Sequence, residues 1–319
     1  MIDKTVPVQG YYRKMMNTEV KMNLQPGRIL RFRVASWLAT SSLVLAVAAW
    51  PLTAAAAKIE YRFKAWNGPE LRVFLTRPVG LAPDRPVVFV MHDASRNARE
   101  LRDQWHDLAI EYDFLLVVPE FSRKDFPGPA QYEQGNVFDG QGAIRAESGW
   151  SYAAIEAIFD DVRSRFQISL NTYSMYGDSA GAQFVQRYIF HVPAARVNRV
   201  VIANAEGYMM PDFDVAFPYG LGHSAVDRNR LEKGLQRVVT ILLVEQDTDA
   251  GNDKLHRSPE VMAQGPDRLA RGQAFFDAAG AAAGQLDVPF NWNLETIPAA
   301  GHENRLMAPA AIPFLLGEH

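Results

Sequence analysis

Residues 174–181 read Ser-Met-Tyr-Gly-Asp-Ser-Ala-Gly and contain a G-x-S-x-G box centred on Ser179. Residues 169–176 before the box have extended character, and residues 182–188 after it have the pattern of a helix. A serine on such a tight strand-to-helix turn takes strained backbone angles, and its hydroxyl projects above the sheet edge. Glycine fits both flanking positions because a side chain there would collide with the neighbouring strand or helix. The box predicts a nucleophilic serine, against the alternative of a chance Gly-Ser-Gly turn.

The sequence also indicates donors for an oxyanion hole. Ala180 follows the serine at the predicted helix N-terminus, where a free amide and the positive end of the helix dipole favour a developing oxyanion. The second donor should come from the loop at residues 92–97, which follows a buried apolar run. We expect it to be the amide of Asp93 or Ala94.

A serine nucleophile needs a base, and His302 is the predicted one among seven histidines. It follows the last predicted strand in the run Pro-Ala-Ala-Gly-His-Glu, residues 298–303. Catalytic groups collect at the carboxyl ends of strands in α/β proteins. The alternative is a solvated loop histidine. We interpret His92 as a structural anchor of its loop in preference to a catalytic base.

The orienting acid is predicted to be Asp247. The buried run at residues 241–244 leads into Glu-Gln-Asp-Thr-Asp, which places Asp247 just past the strand end, with Asp249 as the second choice. The alternatives for this cluster are a simple acidic turn or a cation site of the D-x-D kind. No further ligand spacing supports a metal, and the triad chemistry requires no cofactor.

Length and composition limit the function classes. The chain has 319 residues, 48% of them hydrophobic and 22% charged, which allows one large α/β domain or two small ones. The net charge of −3 gives no reason to expect a nucleic acid or an anionic membrane as a partner. The absence of cysteine excludes disulfides, a cysteine nucleophile and thiolate metal sites, but it does not exclude export.

The N-terminal region has the three parts of a secretory signal. Three arginines between residues 28 and 33 precede an apolar run at residues 34–50 and a small-residue end at 51–57. The run is short of the ~20 residues that a spanning helix needs, which favours a cleaved signal over an anchor. We predict a secreted or periplasmic protein without stable membrane association after cleavage. We expect residues 1–57 to be the extension and signal, within which Met22, Met15 or Met16 is a more natural start than Met1, and residues 58–319 to be a single catalytic domain.

Strand and helix patterns alternate along that domain. An initial hairpin is predicted at residues 59–63 and 71–75, and further strands at 87–91, 114–118, 199–203, 238–244 and 291–297. Helices are predicted at about 99–112, 150–166 and 266–279. This alternation predicts a mostly parallel central sheet with helices on both faces.

Residues 121–149 are the least regular part of the predicted domain. The stretch at 121–145 is rich in Gly, Pro and Asp without periodicity, which is typical of a binding loop or a mobile segment. Trp150 and Tyr152 follow this segment and are candidates either for a pocket wall or for the core.

These motifs together resemble the α/β-hydrolase superfamily over essentially all of residues 58–319. The loop at 91–97, Met-His-Asp-Ala-Ser-Arg-Asn, is similar to the H-G-x-x-x-N-A loop of secreted polyhydroxybutyrate depolymerase-like and feruloyl-esterase-like esterases. The stretch at 243–249 is similar to the acid-bearing segment of the same group. Asp93 stands where glycine is usual, and the H-G-G-G loop of hormone-sensitive-lipase-like esterases is absent. No polymer-binding module follows the domain, which argues against action on solid polyester.

The expected function is hydrolysis of carboxylic esters, small or oligomeric, through a Ser-His-Asp triad and an acyl-enzyme. A peptidase or thioesterase on the same triad is an alternative, because the triad defines the reaction type and the pocket defines the substrate. An inactive hydrolase relative that binds a ligand is a second alternative.

Overall fold

The computed structural model describes residues 55–248, 255–298 and 304–317, without the side chains of Asn304 and Leu306. These residues all belong to one compact unit, residues 51–319. The first strand begins at Ala57, the last residue of the predicted N-terminal extension. None of the helices in the described ranges is long and apolar enough to cross a membrane.

An eight-stranded sheet forms the centre of the described domain. The strands are β1 Ala57–Phe63, β2 Leu71–Arg77, β3 Val87–Met91, β4 Leu115–Glu120, β5 Tyr173–Asp178, β6 Val197–Ala203, β7 Val238–Val244 and β8 Trp292–Ile297. Their spatial order is β1-β2-β4-β3-β5-β6-β7-β8. The β1–β2 and β2–β4 pairs are antiparallel and the other five are parallel, which confirms the predicted mostly parallel sheet.

Helices connect the strands across both faces. They are α1 Ala98–Gln104, α2 His106–Glu111, α3 Gly128–Gln131, α4 Ala153–Phe166, α5 Ala180–His191, α6 Arg228–Leu235, α7 Pro259–Gln264, α8 Arg268–Leu286 and α9 Asn304–Leu316. A 3-10 turn at Glu147–Gly149 precedes α4.

Successive side chains of the central strands enter two separate cores. Phe89 of β3 and Met175 of β5 belong to the larger core, together with Phe184 of α5. Their strand neighbours, such as Val90 and Tyr176, belong to the smaller core, which α1, α2 and α9 complete. Because neighbouring residues of a strand point to opposite faces, this division shows that the sheet is covered on both sides.

The helix predicted at residues 99–112 is two helices. Trp105 separates α1 from α2, with φ −91° and ψ −4°, and its indole is fully buried with its ring 4.8 Å from that of Tyr176. The helix predicted at 266–279 continues to Leu286, because the alanines at 281–283 have high helix propensity, despite the glycines at 280 and 284.

The irregular segment after β4 is an ordered loop with short elements. It contains α3 and an isolated antiparallel bridge between Phe138 and Ile144. Trp150 and Tyr152 are core residues, with exposed fractions of 2% and 0%. Of the two roles predicted for them, a pocket wall or the core, the structure shows the core.

Candidate active site

The strand register brings the predicted site segments to one edge of the sheet. Met91 at the end of β3 lies opposite Gly177 of β5, and Asp178 lies opposite Ala203 at the end of β6. Val244 at the end of β7 lies opposite Ile297 of β8. The chain therefore leaves five parallel strands at the same carboxyl edge, where α/β proteins bind ligands.

Ser179 has the backbone of a nucleophile elbow. It lies between β5 and α5 with φ 54° and ψ −116°, an uncommon conformation for a residue other than glycine. Its amide donates to the carbonyl oxygen of Ala203 at 3.0 Å, and its carbonyl accepts from Gln183 at 3.1 Å. The strain is thus held by bonds to β6 and to the first turn of α5.

The two glycines of the box are required by close backbone contacts. A Cβ on Gly177 would lie 2.3 Å from the carbonyl oxygen of Gly181, and a Cβ on Gly181 would lie 2.2 Å from that of Met91. Both contacts are to backbone atoms, which cannot move aside as a side chain can. The serine turn therefore packs directly against the start of the loop after β3.

The loop after β3 offers two amides near the start of α5. Ser95, Arg96 and Asn97 donate their amides within the loop, to Asp93 oxygens and to the Ser95 hydroxyl. Within the described ranges, the amides of Asp93 and Ala94 donate no hydrogen bond. The amide of Ala180, in the first turn of α5, has no partner within its helix.

Aspartate replaces glycine at position 93 without backbone strain. In this loop the positive φ, 62°, is at Arg96, whose amide closes a turn onto the carbonyl of Asp93. The Asp93 carboxylate accepts from the amide and hydroxyl of Ser95, at 2.9 and 2.5 Å. A side chain is therefore tolerated at position 93.

His92 is buried and anchors the loop by both ring nitrogens. Nε2 accepts from the Phe121 amide at 3.0 Å, so the proton lies on Nδ1, which donates to the carbonyl of Asp93 at 3.1 Å. The Tyr132 hydroxyl donates to the His92 carbonyl at 2.6 Å. Burial lowers the pKa of His92 to about 4, so its ring is neutral at pH 7.

Arg96 connects this loop to the segment after β4. Its guanidinium donates to the carbonyls of Phe121 and Gly128 at 2.9 and 3.1 Å and lies 4.1 Å from the centre of the Tyr132 ring. The planar fork of arginine suits this double contact with simultaneous stacking. Arg96 thus restrains the loop that carries the candidate oxyanion amides.

Asp247 lies just past β7 at the same edge. Its Oδ1 is 3.5 Å from Nη1 of Arg268, the first residue of α8, and the two side chains are only 11% and 9% exposed. Asn204, at the end of β6, accepts from the amide of Val244 at 3.1 Å and so joins the ends of β6 and β7. The start of the loop that carries Asp247 is therefore fixed to the end of β6, which lies beside Ser179.

His302 and Asp249, the predicted base and the second-choice acid, lie outside the described residues. The described chain reaches Pro298 after β8 and resumes at the start of α9. In the parts of the chain that the structure describes, no group of three His, Asp or Glu side chains is placed to hold a metal ion.

A cavity of about 420 Å³ opens at Ser179. Its lining includes Ser179, Asp178, Met91, Asp93 and Asn97. The nucleophile candidate and the loop with the candidate oxyanion amides therefore face the same space, as an acyl-transfer site requires.

Comparison with solved structures relates this architecture to known hydrolases. Poly(aspartic acid) hydrolase-1 from Sphingomonas sp. KT-1 superposes with a TM-score of 0.80 and 38% identity, over 82% of this chain and 99% of that one. LpqC, a poly(3-hydroxybutyrate) depolymerase from Bordetella parapertussis, gives a TM-score of 0.77 and 32% identity, over 83% and 90% of the two chains. The chain belongs to the depolymerase-like α/β-hydrolases. It is an enzyme, a serine hydrolase of the carboxylic ester type.

More distant structures share only the fold of this hydrolase. The siderophore hydrolase EstB from Aspergillus nidulans gives a TM-score of 0.51 at 12% identity, over 82% of this chain and 95% of that one. No protein-family model matches the hydrolase, and no curated protein sequence matches it. The α/β-hydrolase fold predicted from the sequence is confirmed.

Sequence reasoning missed three residues that hold segments of the candidate site: Arg96, Asn204 and Arg268. Each is polar and at most 8% exposed, and each bonds to a segment far away in sequence. Asn204, directly after a buried strand, is a position that could have suggested a turn onto the next strand. Arg96 and Arg268 carry no comparable local signal.

Proposed function

We propose that the protein hydrolyses carboxylic esters through Ser179, His302 and Asp247. The observation that carries this proposal is the strained backbone of Ser179 at the N-terminus of α5, between two glycines that backbone contacts require. Strain of this kind persists where the surrounding structure enforces it, and it is typical of catalytic positions.

In the proposed reaction, the Ser179 hydroxyl oxygen attacks the ester carbonyl carbon while His302 takes the hydroxyl proton. The tetrahedral intermediate collapses as the protonated imidazole gives that proton to the leaving alkoxide, which departs as an alcohol. Water then attacks the acyl-enzyme with His302 again as base, and the carboxylic acid and free serine are released. Asp247 holds the imidazole and stabilises its charged form.

The oxyanion would accept hydrogen bonds from the amide of Ala180 and from that of Asp93 or Ala94. Two features support these assignments: both loop amides are without partners in the described ranges, and the loop lines the Ser179 cavity. Preorganised donors of this kind stabilise charge that develops in the transition state.

Secretion is part of the proposal, on the basis of the basic, apolar and small-residue parts of residues 28–57. The substrate is an ester, small or oligomeric. The two relatives described above, at 38% and 32% identity, are named for action on polymers, which supports an oligomeric substrate.

The test is hydrolysis of p-nitrophenyl acetate and butyrate by the wild type, by Ser179→Ala and by Ser169→Ala. Ser169 bonds to the carbonyl of Pro83, remote from the proposed site, and serves as the matched control. We expect kcat to fall by about 10⁴-fold or more in Ser179→Ala alone. A fluorophosphonate should add one covalent label to the wild type and none to Ser179→Ala. Equal activity of all three proteins would refute the assignment of the nucleophile.

A further inference from the structure

A second cavity begins one helical turn beyond Ser179. It has a volume of about 240 Å³, and its lining includes Gln183, Glu206, Gly207 and Tyr219. The Gln183 amide donates to the carbonyl of Ser179. Glu206 lies three residues after Ala203, the last residue of β6, whose carbonyl accepts from the Ser179 amide. We call this space the Gln183 cavity. It lies at the same sheet edge as the nucleophile.

A larger groove adjoins it at Tyr219. This groove has a volume of about 900 Å³ and lies between the loop at residues 210–215, α7 and one face of α8. Tyr219 lines both spaces, and α7 contributes Val261 to the Gln183 cavity and Gln264 to the groove. We call it the α8 groove. The two spaces therefore adjoin at Tyr219 and at α7.

The junction between the two spaces is built tightly. A Cβ on Gly207 would lie 3.3 Å from Val261 and 3.7 Å from Tyr219, so the backbone there packs against both side chains. Gln264 joins α7 to the segment after β6 by two bonds to the backbone of Tyr208, at 2.8 and 2.7 Å. The groove is thus a preformed surface with fixed walls.

The floor of the α8 groove is apolar, and its charged groups are all acidic. Ala274 and Ala278, one turn apart on α8, line the floor, and Phe213 lies at the rim with 47% of its surface exposed. Asp212, Asp214 and Glu260 also line it, and among its described lining residues there is no lysine or arginine. An apolar chain without negative charge complements this lining, because it packs on the alanines and is not repelled by the carboxylates.

The lining of the Gln183 cavity also disfavours a negatively charged occupant. Glu133 and Glu206 line it beside one buried guanidinium, that of Arg187. Arg187 donates to the carbonyl of Pro218 and to both side-chain and backbone oxygens of Gln183, so its hydrogen-bonding groups are directed at the protein. Anionic groups of a substrate would meet two carboxyls and the His256 ring, and no guanidinium with free hydrogen-bonding groups.

We propose that the Gln183 cavity and the α8 groove bind the part of an oligomeric ester that extends beyond the scissile bond, and that they accept an uncharged oligoester and exclude a polyanion. The proposal rests on the esterase function proposed above. The proposed substrate differs in charge from the polyanion for which the relative poly(aspartic acid) hydrolase-1 is named. The proposed specificity determinants are Tyr219, Ala278 and the three groove carboxylates.

The substrates for the test differ at one group per unit. Oligomers of 3-hydroxybutyrate and of β-malate have the same ester-linked backbone, with a methyl group in the first and a carboxylate in the second. We expect kcat/KM of the wild type to rise from dimer to hexamer of 3-hydroxybutyrate, and to be about tenfold or more lower for the malate hexamer at low salt.

Two variants test the groove itself. Ala278→Phe fills the floor and should remove the increase of kcat/KM with chain length. Its control, Gln273→Phe, places the same ring on an exposed position of α8 outside the groove lining. Asp214→Lys with Glu260→Lys should narrow the preference for 3-hydroxybutyrate over malate, and added salt should narrow it in the wild type.

Binding measurements on an inactive variant test the groove proposal independently of the proposed esterase activity. Calorimetry with Ser179→Ala should show tighter binding of the 3-hydroxybutyrate hexamer than of the dimer, and the combination with Ala278→Phe should abolish that difference. If the length dependence survives Ala278→Phe, or if malate oligomers bind equally well, the groove proposal is wrong whatever the esterase assay shows. If the wild type hydrolyses no ester but the oligomers bind as predicted, only the assignment of Ser179, His302 and Asp247 as an esterase triad is wrong.

Discussion

The carboxylate of Asp247 and the guanidinium of Arg268 form an ion pair across the end of β7 and the start of α8, with 3.5 Å between Oδ1 and Nη1. Glu206 lies on the other side of the same guanidinium, 3.8 Å from Nη2. Because both partners of the first pair are nearly buried, solvent screens their attraction little. Arg268 is therefore placed to hold the proposed triad acid in a fixed orientation.

Arg268→Gln should lower kcat for p-nitrophenyl acetate about tenfold or more, because a carboxylate without its partner orients the imidazole poorly. Removal of a positive charge near the site also favours protonation of the base. The acid limb of the pH profile of kcat/KM should therefore move to higher pH, and Arg268→Lys should restore most of the rate.

The control for this prediction is Arg271→Gln. Arg271 is buried one turn further along α8 and donates to the carbonyl oxygens of Gly265, Glu206 and His256. It should lower stability without moving the pH profile. An unchanged profile in Arg268→Gln would show that the ion pair is only structural.

Gly181→Ala should destabilise the fold by about 2 kcal/mol or more, because its Cβ would overlap the carbonyl oxygen of Met91. Gly284→Ala is the matched control within a helix, since a Cβ there meets nothing within 4 Å. It should stabilise by about 0.5–1 kcal/mol through helix propensity. Urea unfolding of both variants measures the two effects, and equal effects would contradict the close contact at the serine turn.

Stability should fall as the pH drops from 6.5 towards 4. Burial lowers the pKa of both His92 and His191 to about 4, whereas in the unfolded chain each titrates near 6.5. The unfolded state therefore binds more protons in that window, and each histidine removes up to about 3 kcal/mol of stability by its lower end.

His191→Gln should reduce this loss, because the amide can still donate to the carbonyl of Arg187 without titrating. Thermal unfolding at several pH values between 4 and 7.5 measures the slope. A slope identical to that of the wild type would show that His191 is not a source of acid sensitivity.

Arg96→Lys should lower kcat/KM for p-nitrophenyl acetate about tenfold, because lysine cannot reproduce the fork and the stacking on Tyr132 that restrain the oxyanion loop. Arg99→Lys, on the exposed side of α1 with an ion pair to Glu60, is the control and should keep full activity. If Arg96→Lys reacts at the wild-type rate, the loop does not depend on this clamp.

Local patterns predicted most of the sheet. The bounds of β3 and β7 agree with the strands predicted at 87–91 and 238–244, since strands in a sheet covered on both faces are mostly apolar. The N-terminus of α7 carried a readable signal, Ser258 as N-cap followed by Pro259, but the helix is too short for its periodicity to be detected.

The sequence alone determined the elbow, because glycines flanking a serine between a strand and a helix encode a backbone geometry within five residues. It also determined the order of the strands along the chain and the candidate roles of Ser179, Asp247 and His302. The Asp247–Arg268 pair, the Arg96 clamp and the α8 groove arise only from long-range packing. Their partners are far apart in the chain and meet because strand register and helix packing bring them together, which no local pattern records.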